Sequence, residues 1–202
     1  SSMKNCVNSD DMDYHRFRNT SPLDYIEAID WLLSLGLKVV RIGHPRMTPL
    51  PNRKGLIDLT SVKRPGDVDI YLSAKAKFYY GSLSGPYSIF RHFSSRKALL
   101  ANCNNYGLSI PNCFMQLRPI FDETSKKILT FKQIEELDLT GITAAGPYLS
   151  RNLKPISLTS EDHLRSVKDM IEYIEEGDIF RANQAMKVRT GRQKLLMSFT
   201  SD

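Results

Sequence analysis

Apolar positions along this chain switch between a helical and an extended period, and the switches mark its elements. Leu23, Ile26, Ile29, Leu32 and Leu33 recur at helical spacing, which predicts a helix with one stripe on a core. Asn19, Thr20, Ser21 and Pro22 open it, with a capping residue ahead of proline at the first helical position. Gly36 closes it, as a left-handed C-terminal residue does. Residues 38–42 read as a short β-branched strand. A loop with three prolines covers 43–55, then 56–59 predict a second short strand and Pro65-Gly66 a break. Residues 67–75 read as a short helix carrying Val68, Ile70, Tyr71 and Leu72, with Asp67 and Asp69 at its positive end.

An aromatic strand over 77–80 then runs into Gly81-Ser82-Leu83-Ser84-Gly85. A helix from Pro86 is expected to carry Ile89, Phe90 and Phe93 inward, and residues 98–101 form the next strand, ending at Asn102. Helix and strand alternate in the rhythm of an α/β doubly wound fold, a parallel sheet flanked by helices. The later chain is less regular. Residues 108–118 are largely apolar, 130–137 read as a short helix, and 141–155 as a loop. A C-terminal helix runs from a Ser160 cap to Glu176 before Gly177, with Leu164, Val167, Met170, Ile171 and Ile174 as its stripe. The tail from Arg181 holds five basic residues and one acid, compatible with a terminal helix or an unstructured segment.

Composition adds bounds rather than identity. At 202 residues, 41% hydrophobic and 25% charged, the chain fits one domain with appendages or two small ones. No apolar run is long enough to span a bilayer, and the polar N-terminus is unlike a signal peptide. Cys6, Cys103 and Cys113 cannot all pair, which favours a reduced, cytoplasmic chain. The net charge of +6 favours an anionic partner. Seven basic residues (Lys38, Arg41, Arg46, Arg53, Lys54, Lys63, Arg64) stand against Asp58 alone over 38–64, either a solvated basic face or an anion site.

Three groups could carry chemistry. The strand–Gly81–Gly85–helix passage offers glycines for close approach, Ser82 and Ser84 hydroxyls, and helix N–H groups that bind phosphate. Its bland reading is a tight strand-to-helix turn. In an open α/β sheet, ligands bind beyond the carboxyl ends of strands, so Arg41, Gly43 and His44, the 81–85 turn, and Asn102 are expected on one rim. Against that, Arg41 reads as an edge-exposed strand residue and Asn102 as a turn former. Arg18 and Asn19, at the start of the first helix, form either a phosphate clamp or a surface pair neutralised by Asp10, Asp11 or Asp13. No Ser-His-Asp set emerges, and Asp67-Val68-Asp69 reads as a helix start rather than a metal cluster.

Four stretches in this order resemble a family of bacterial glycosyltransferases known from sequence: FRNTSPLDYIEAIDWLLSLGLKVVRIG at 17–43, LIDLTS at 56–61, DVDIYLSAKAKFYYGSLSG at 67–85 and ALLAN at 98–102. The later ILTFKQIEE and the helix over 160–177 fit as well, so the likeness covers about 14–178. That family is similar to two-domain GT-B enzymes, including heptosyltransferase-like enzymes of surface-polysaccharide assembly. The resemblance implies a Rossmann-like nucleotide-sugar-binding domain over 15–178, the C-terminal half of a GT-B fold, between a flexible lead-in over 1–14 and a basic tail over 179–202. It implies donor-binding roles for Arg18, Asn19, Arg41, Gly43, Ser82, Ser84 and Gly85, and His44 and Asn102 join them from the expected rim.

The implied reaction moves a sugar from a nucleotide-sugar to a glycan or lipid-linked acceptor, with no further cofactor and no metal. The acceptor domain and catalytic base are then expected from a partner domain or chain. A cytoplasmic location fits, with peripheral association with the inner membrane compatible. A nucleic-acid partner is not expected, since no recognised motif or aromatic-basic interleaving is present. The alternative reading is a non-catalytic nucleotide-sugar-binding or interaction module derived from such an enzyme.

Overall fold

Glycine, proline and short polar side chains punctuate the chain, and several of its elements begin or end at them. The computed structural model describes residues 20–108 and 110–176, with the backbone of 188–190 and 193–195. In chain order the elements are a 3-10 turn (Pro22–Tyr25), α1 (Ile26–Ser34), β1 (Val39–Arg41), β2 (Leu56–Asp58), α2 (Gly66–Lys75), β3 (Tyr79–Gly81), α3 (Gly85–Phe93) and β4 (Ala98–Cys103). There follow β5 (Cys113–Leu117), β6 (Ile120–Asp122), β7 (Lys127–Ile128), α4 (Phe131–Glu136), α5 (Gly146–Leu149), β8 (Leu153–Pro155), α6 (Ser160–Glu176), β9 (Val188–Thr190) and β10 (Gln193–Leu195). The protein is α/β, with small parallel sheets and a long C-terminal helix.

The chain divides into two compact units. Among the described residues, the larger comprises 21–101, 110–116 and those from Leu158 onward, and the smaller holds 102–108 and 117–157. In the larger unit, the Ser21 hydroxyl accepts the Leu23 N–H at 3.2 Å ahead of Pro22. Gly36, at φ +77°, lets the chain leave α1 in the left-handed region that a side chain disfavours. β1 and β2 pair in parallel, with Arg41 opposite Asp58. β3 and β4 also pair in parallel, Gly81 opposite Leu100, in a sheet of order β3-β4-β5. These are two sheets rather than one continuous doubly wound sheet, yet one core serves both. Ala28 and Leu32 of α1, Leu99 of β4, and Val167, Met170, Ile171 and Tyr173 of α6 form it, with Val39, Tyr80 and Phe114 packed on its margin. Each large apolar side chain so buried contributes about 1.5–3 kcal/mol.

Some expected orientations change. Leu23 and Phe93 are half exposed, at 50% and 51%, because the turn before α1 and the last turn of α3 reach beyond the core. The cap of α6 lies one residue earlier than Ser160. The Thr159 hydroxyl accepts the Asp162 N–H at 3.2 Å while the Thr159 N–H donates to Asp162 Oδ2 at 3.1 Å, a reciprocal cap. The basic tail, in its described residues, pairs β9 with β10 antiparallel.

The smaller unit is built on the antiparallel order β7-β6-β8. Asp122 shapes the β6–β7 turn by accepting the Thr124 N–H at 2.8 Å and the Ser125 hydroxyl at 2.6 Å. Thr130 and Gln133 form a capping box at the start of α4. The stretch 141–155, expected as a loop, contains α5 and β8. Tyr148 organises it: fully buried, its hydroxyl donates to the Ile142 carbonyl at 2.7 Å. Leu117, Ile120, Ile134, Leu139 and Leu153 complete this core.

Candidate functional site

Arg41 ends β1 and Asp58 ends β2, and the parallel register sets them side by side. Arg41 Nη1 donates to Asp58 Oδ2 and to the Thr48 carbonyl, each at 2.8 Å. Asp58 Oδ1 accepts the Thr60 N–H at 3.0 Å and the Thr60 hydroxyl at 2.7 Å, and Oδ2 also accepts the Leu50 N–H at 3.4 Å. Burial alone would raise the Asp58 pKa; the donors from Thr60, Arg41 and Leu50 outweigh it and hold the carboxyl below its ordinary 3.8. Arg41 therefore spends charge on its own chain, tying down the loop after β1. One guanidinium nitrogen, Nη2, is buried and unpartnered.

Gly43 follows Arg41 for a packing reason. A Cβ there would meet Met47 Sδ at 2.6 Å and the Thr60 methyl at 3.5 Å, so the close approach glycine permits is to neighbouring side chains. His44 is exposed, and its Nδ1 accepts the Arg46 N–H at 3.1 Å. Three arginines of the basic run are paired, one with an acid inside it and two with acids outside: Arg41 with Asp58, Arg53 with Asp30 at 2.8 Å and Arg64 with Asp69 at 2.6 Å. A charge count along the sequence overstated what this face offers to a ligand.

The turn after β3 differs. Gly81 is required by Tyr79, whose hydroxyl would lie 2.8 Å from a Cβ and donates to the Ser82 carbonyl at 3.1 Å. Ser84 precedes α3 in extended conformation but does not cap it; its hydroxyl turns back to the Ser82 carbonyl at 3.3 Å. Gly85 is exposed, with nothing within 4 Å of a Cβ built there. The first N–H groups of any helix lack intrahelical partners, so the start of α3 presents its positive end without a side-chain cap. Arg91 and His92 sit in the last turn, where cations suit the dipole.

Thus the expected site residues fall into separate groups. Arg41, Gly43 and His44 share the loop after β1; Ser82, Ser84 and Gly85 share the turn after β3. Among the described residues no hydrogen bond or ion pair joins the two groups. Asn102 belongs to the smaller unit. It is a buried strand residue at φ +56° rather than a turn former, and its side-chain oxygen accepts from Arg118 Nε at 3.2 Å. Arg18 and Asn19 lie outside the described residues.

Two polar clusters escaped the sequence reading. In the larger unit, a 2.7 Å hydrogen bond joins the Tyr80 hydroxyl and Nδ1 of the fully buried His163, with the Tyr25 ring 4.1 Å from the imidazole centroid. Burial, with Tyr25 adding to it, pushes the Tyr80 phenol well above its ordinary pKa, so it keeps its proton. The bond braces β3 one residue before Gly81. His163 stands four residues before Val167 and seven before Met170, on the apolar stripe, which was the available signal. In the smaller unit the buried Arg118 meets Asn102, and its carbonyl accepts the Tyr106 hydroxyl.

Among the described residues no group of three or more His, Cys, Asp or Glu side chains could hold a metal, and no helix is long and apolar enough to cross a membrane. No family model, curated protein or solved structure matches this chain.

Proposed function

We propose that the larger unit binds the phosphates of a nucleotide-sugar at the start of α3, as the donor half of a Rossmann-like, GT-B-type glycosyltransferase. The observation that carries the reading is the uncapped, open helix start at Ser84-Gly85, at the carboxyl end of a strand paired in parallel with its neighbour. Donors of this kind stabilise a departing phosphate electrostatically without any cationic side chain. Ser82 and Ser84 would orient the diphosphate. Arg41 acts at one remove, by fixing the loop after β1.

Isothermal titration with UDP-, GDP- and ADP-sugars tests this, with Gly85→Asp as the control. Open space at Gly85 accommodates the side chain, and an acid in the first helical turn suits the dipole while repelling phosphate. Saturable binding to one sugar nucleotide, weakened about tenfold or more in the variant at unchanged melting temperature, is expected. Silence across the panel, or equal binding by the variant, would end the reading.

One observation favours a non-catalytic binding module. Asp58, at the end of β2, and Asp69, in the first turn of α2, are each engaged by an arginine of this chain. Binding without any donor hydrolysis or transfer would favour that version.

A further inference from the structure

Three elements of the larger unit meet at the fully buried His163. It stands in the first turn of α6, with Nδ1 2.7 Å from the Tyr80 hydroxyl of β3. Tyr25, from the turn before α1, closes the group, its ring centroid 4.1 Å from that of the imidazole and 5.1 Å from that of Tyr80. The His163 amide donates to the Thr159 carbonyl at 3.0 Å, inside the reciprocal cap that starts α6. Beside it, the Gln116 amide of β5 donates to the Asp162 carbonyl at 3.1 Å. An apolar side chain would serve this place on the stripe; imidazole differs in changing charge at mildly acidic pH.

The place suits the neutral ring. Sealed from water, a cation there loses its hydration. It also lies at the positive end of the helix dipole, where cations are disfavoured. A proton on Nδ1 would meet the Tyr80 hydroxyl, which would have to turn and accept. The titratable groups around it are accounted for element by element. Tyr25 and Tyr80, which face the ring, carry no charge at mildly acidic pH. The turn and α1, both packed on α6, carry half-buried Asp24, exposed Glu27, and Asp30, which is paired with Arg53. On α6, exposed Glu161 pairs with Arg165 at 2.9 Å, and Asp162 accepts from the Thr159 cap.

We infer that His163 is a proton-sensitive latch: uptake of one proton frees the first turn of α6 from β3 and from the turn before α1, loosening the strand that ends at Gly81. The closed latch holds the ring neutral, which sets the sign. It is fully closed above about pH 6.5, where an exposed imidazole is itself neutral, and weakens below, because the open form alone takes the proton. The inference stands apart from the nucleotide reading, since it needs no ligand.

Hydrogen exchange of the full chain, followed by NMR from about pH 7.5 to about pH 5 and corrected for the intrinsic rate, tests it. Asp58, held below its ordinary 3.8, titrates outside this window. The His163 amide should lose protection about tenfold for each pH unit below about 6.5, the slope of one proton. The imidazole Cε1–H signal should meanwhile keep its neutral position. His163→Gln, polar but without a proton to gain in this range, should flatten the slope. Protection independent of pH, or a slope that survives His163→Gln, would overturn the inference. So would an imidazole that takes its proton with protection intact, a readout of the wild-type chain that does not depend on the variant folding.

Discussion

The loop after β1 and the turn after β3 occupy equivalent places in an α/β fold, at the carboxyl ends of parallel strands, but they are prepared differently. The first holds an arginine and sits in the most basic stretch of the chain, yet its charge is met by Asp58 and its glycine is closed over by Met47 and Thr60. The second holds no cation, yet its serine leaves the helix start uncapped and its second glycine opens onto space. Net charge does not make an anion site. What matters is which donors remain after the chain has satisfied itself.

The largest effect should come from breaking the closed side of this comparison. Asp58→Ala strands a largely buried guanidinium and frees the Thr60 and Leu50 donors, so urea unfolding should show a loss of about 2–3 kcal/mol. Because the folded Asp58 pKa lies below its ordinary 3.8, the pair adds stability above that value and loses it as pH falls through the lower, folded one. The gap between wild type and Asp58→Asn should therefore be constant near neutrality and close only below about pH 4.

On the open side, Gly81→Ala drives a methyl into the Tyr79 ring and should cost about 1–2 kcal/mol, read by thermal melting. Tyr80→Phe, beneath the same turn, leaves the buried His163 Nδ1 without its partner and should cost about 1 kcal/mol or slightly more. The smallest effect concerns Cys113, whose thiol is pushed up to about 12 by burial, against the opposing pull of Tyr87 and Arg91 in α3. It should alkylate far more slowly than a model thiol at mildly alkaline pH, and Gly81→Ala should speed it if the turn anchors α3. Equal rates in both proteins would show that the turn and helix move independently.

What the sequence revealed was local. The capped turn at Ser21-Pro22 that leads into α1, the helix end at Gly36, the stripe of α6 and the strand that ends at Gly81 follow from spacing and capping chemistry within a few residues. What it concealed was non-local. The partners that neutralise Arg53 and brace Tyr80 lie 23 and 83 residues away, and no period reports them. Strands of two or three residues, such as β7 and β8, are too short to show alternation and exist through their pairing with β6. Ser82, Ser84 and Gly85 were legible as a turn before a helix. That Ser84 declines to cap, and that Arg41 is already engaged, could be read only from geometry.

The claim that the open turn, and not the basic loop, receives phosphate can be put to the amides themselves. Backbone resonances should be followed by NMR as a UDP-, GDP- or ADP-sugar is titrated in. Saturable shifts centred on the Gly85 amide, with Gly43 and His44 nearly still, are expected. Shifts centred on 43–48, or no saturable shift at Gly85 with any donor, would contradict the account.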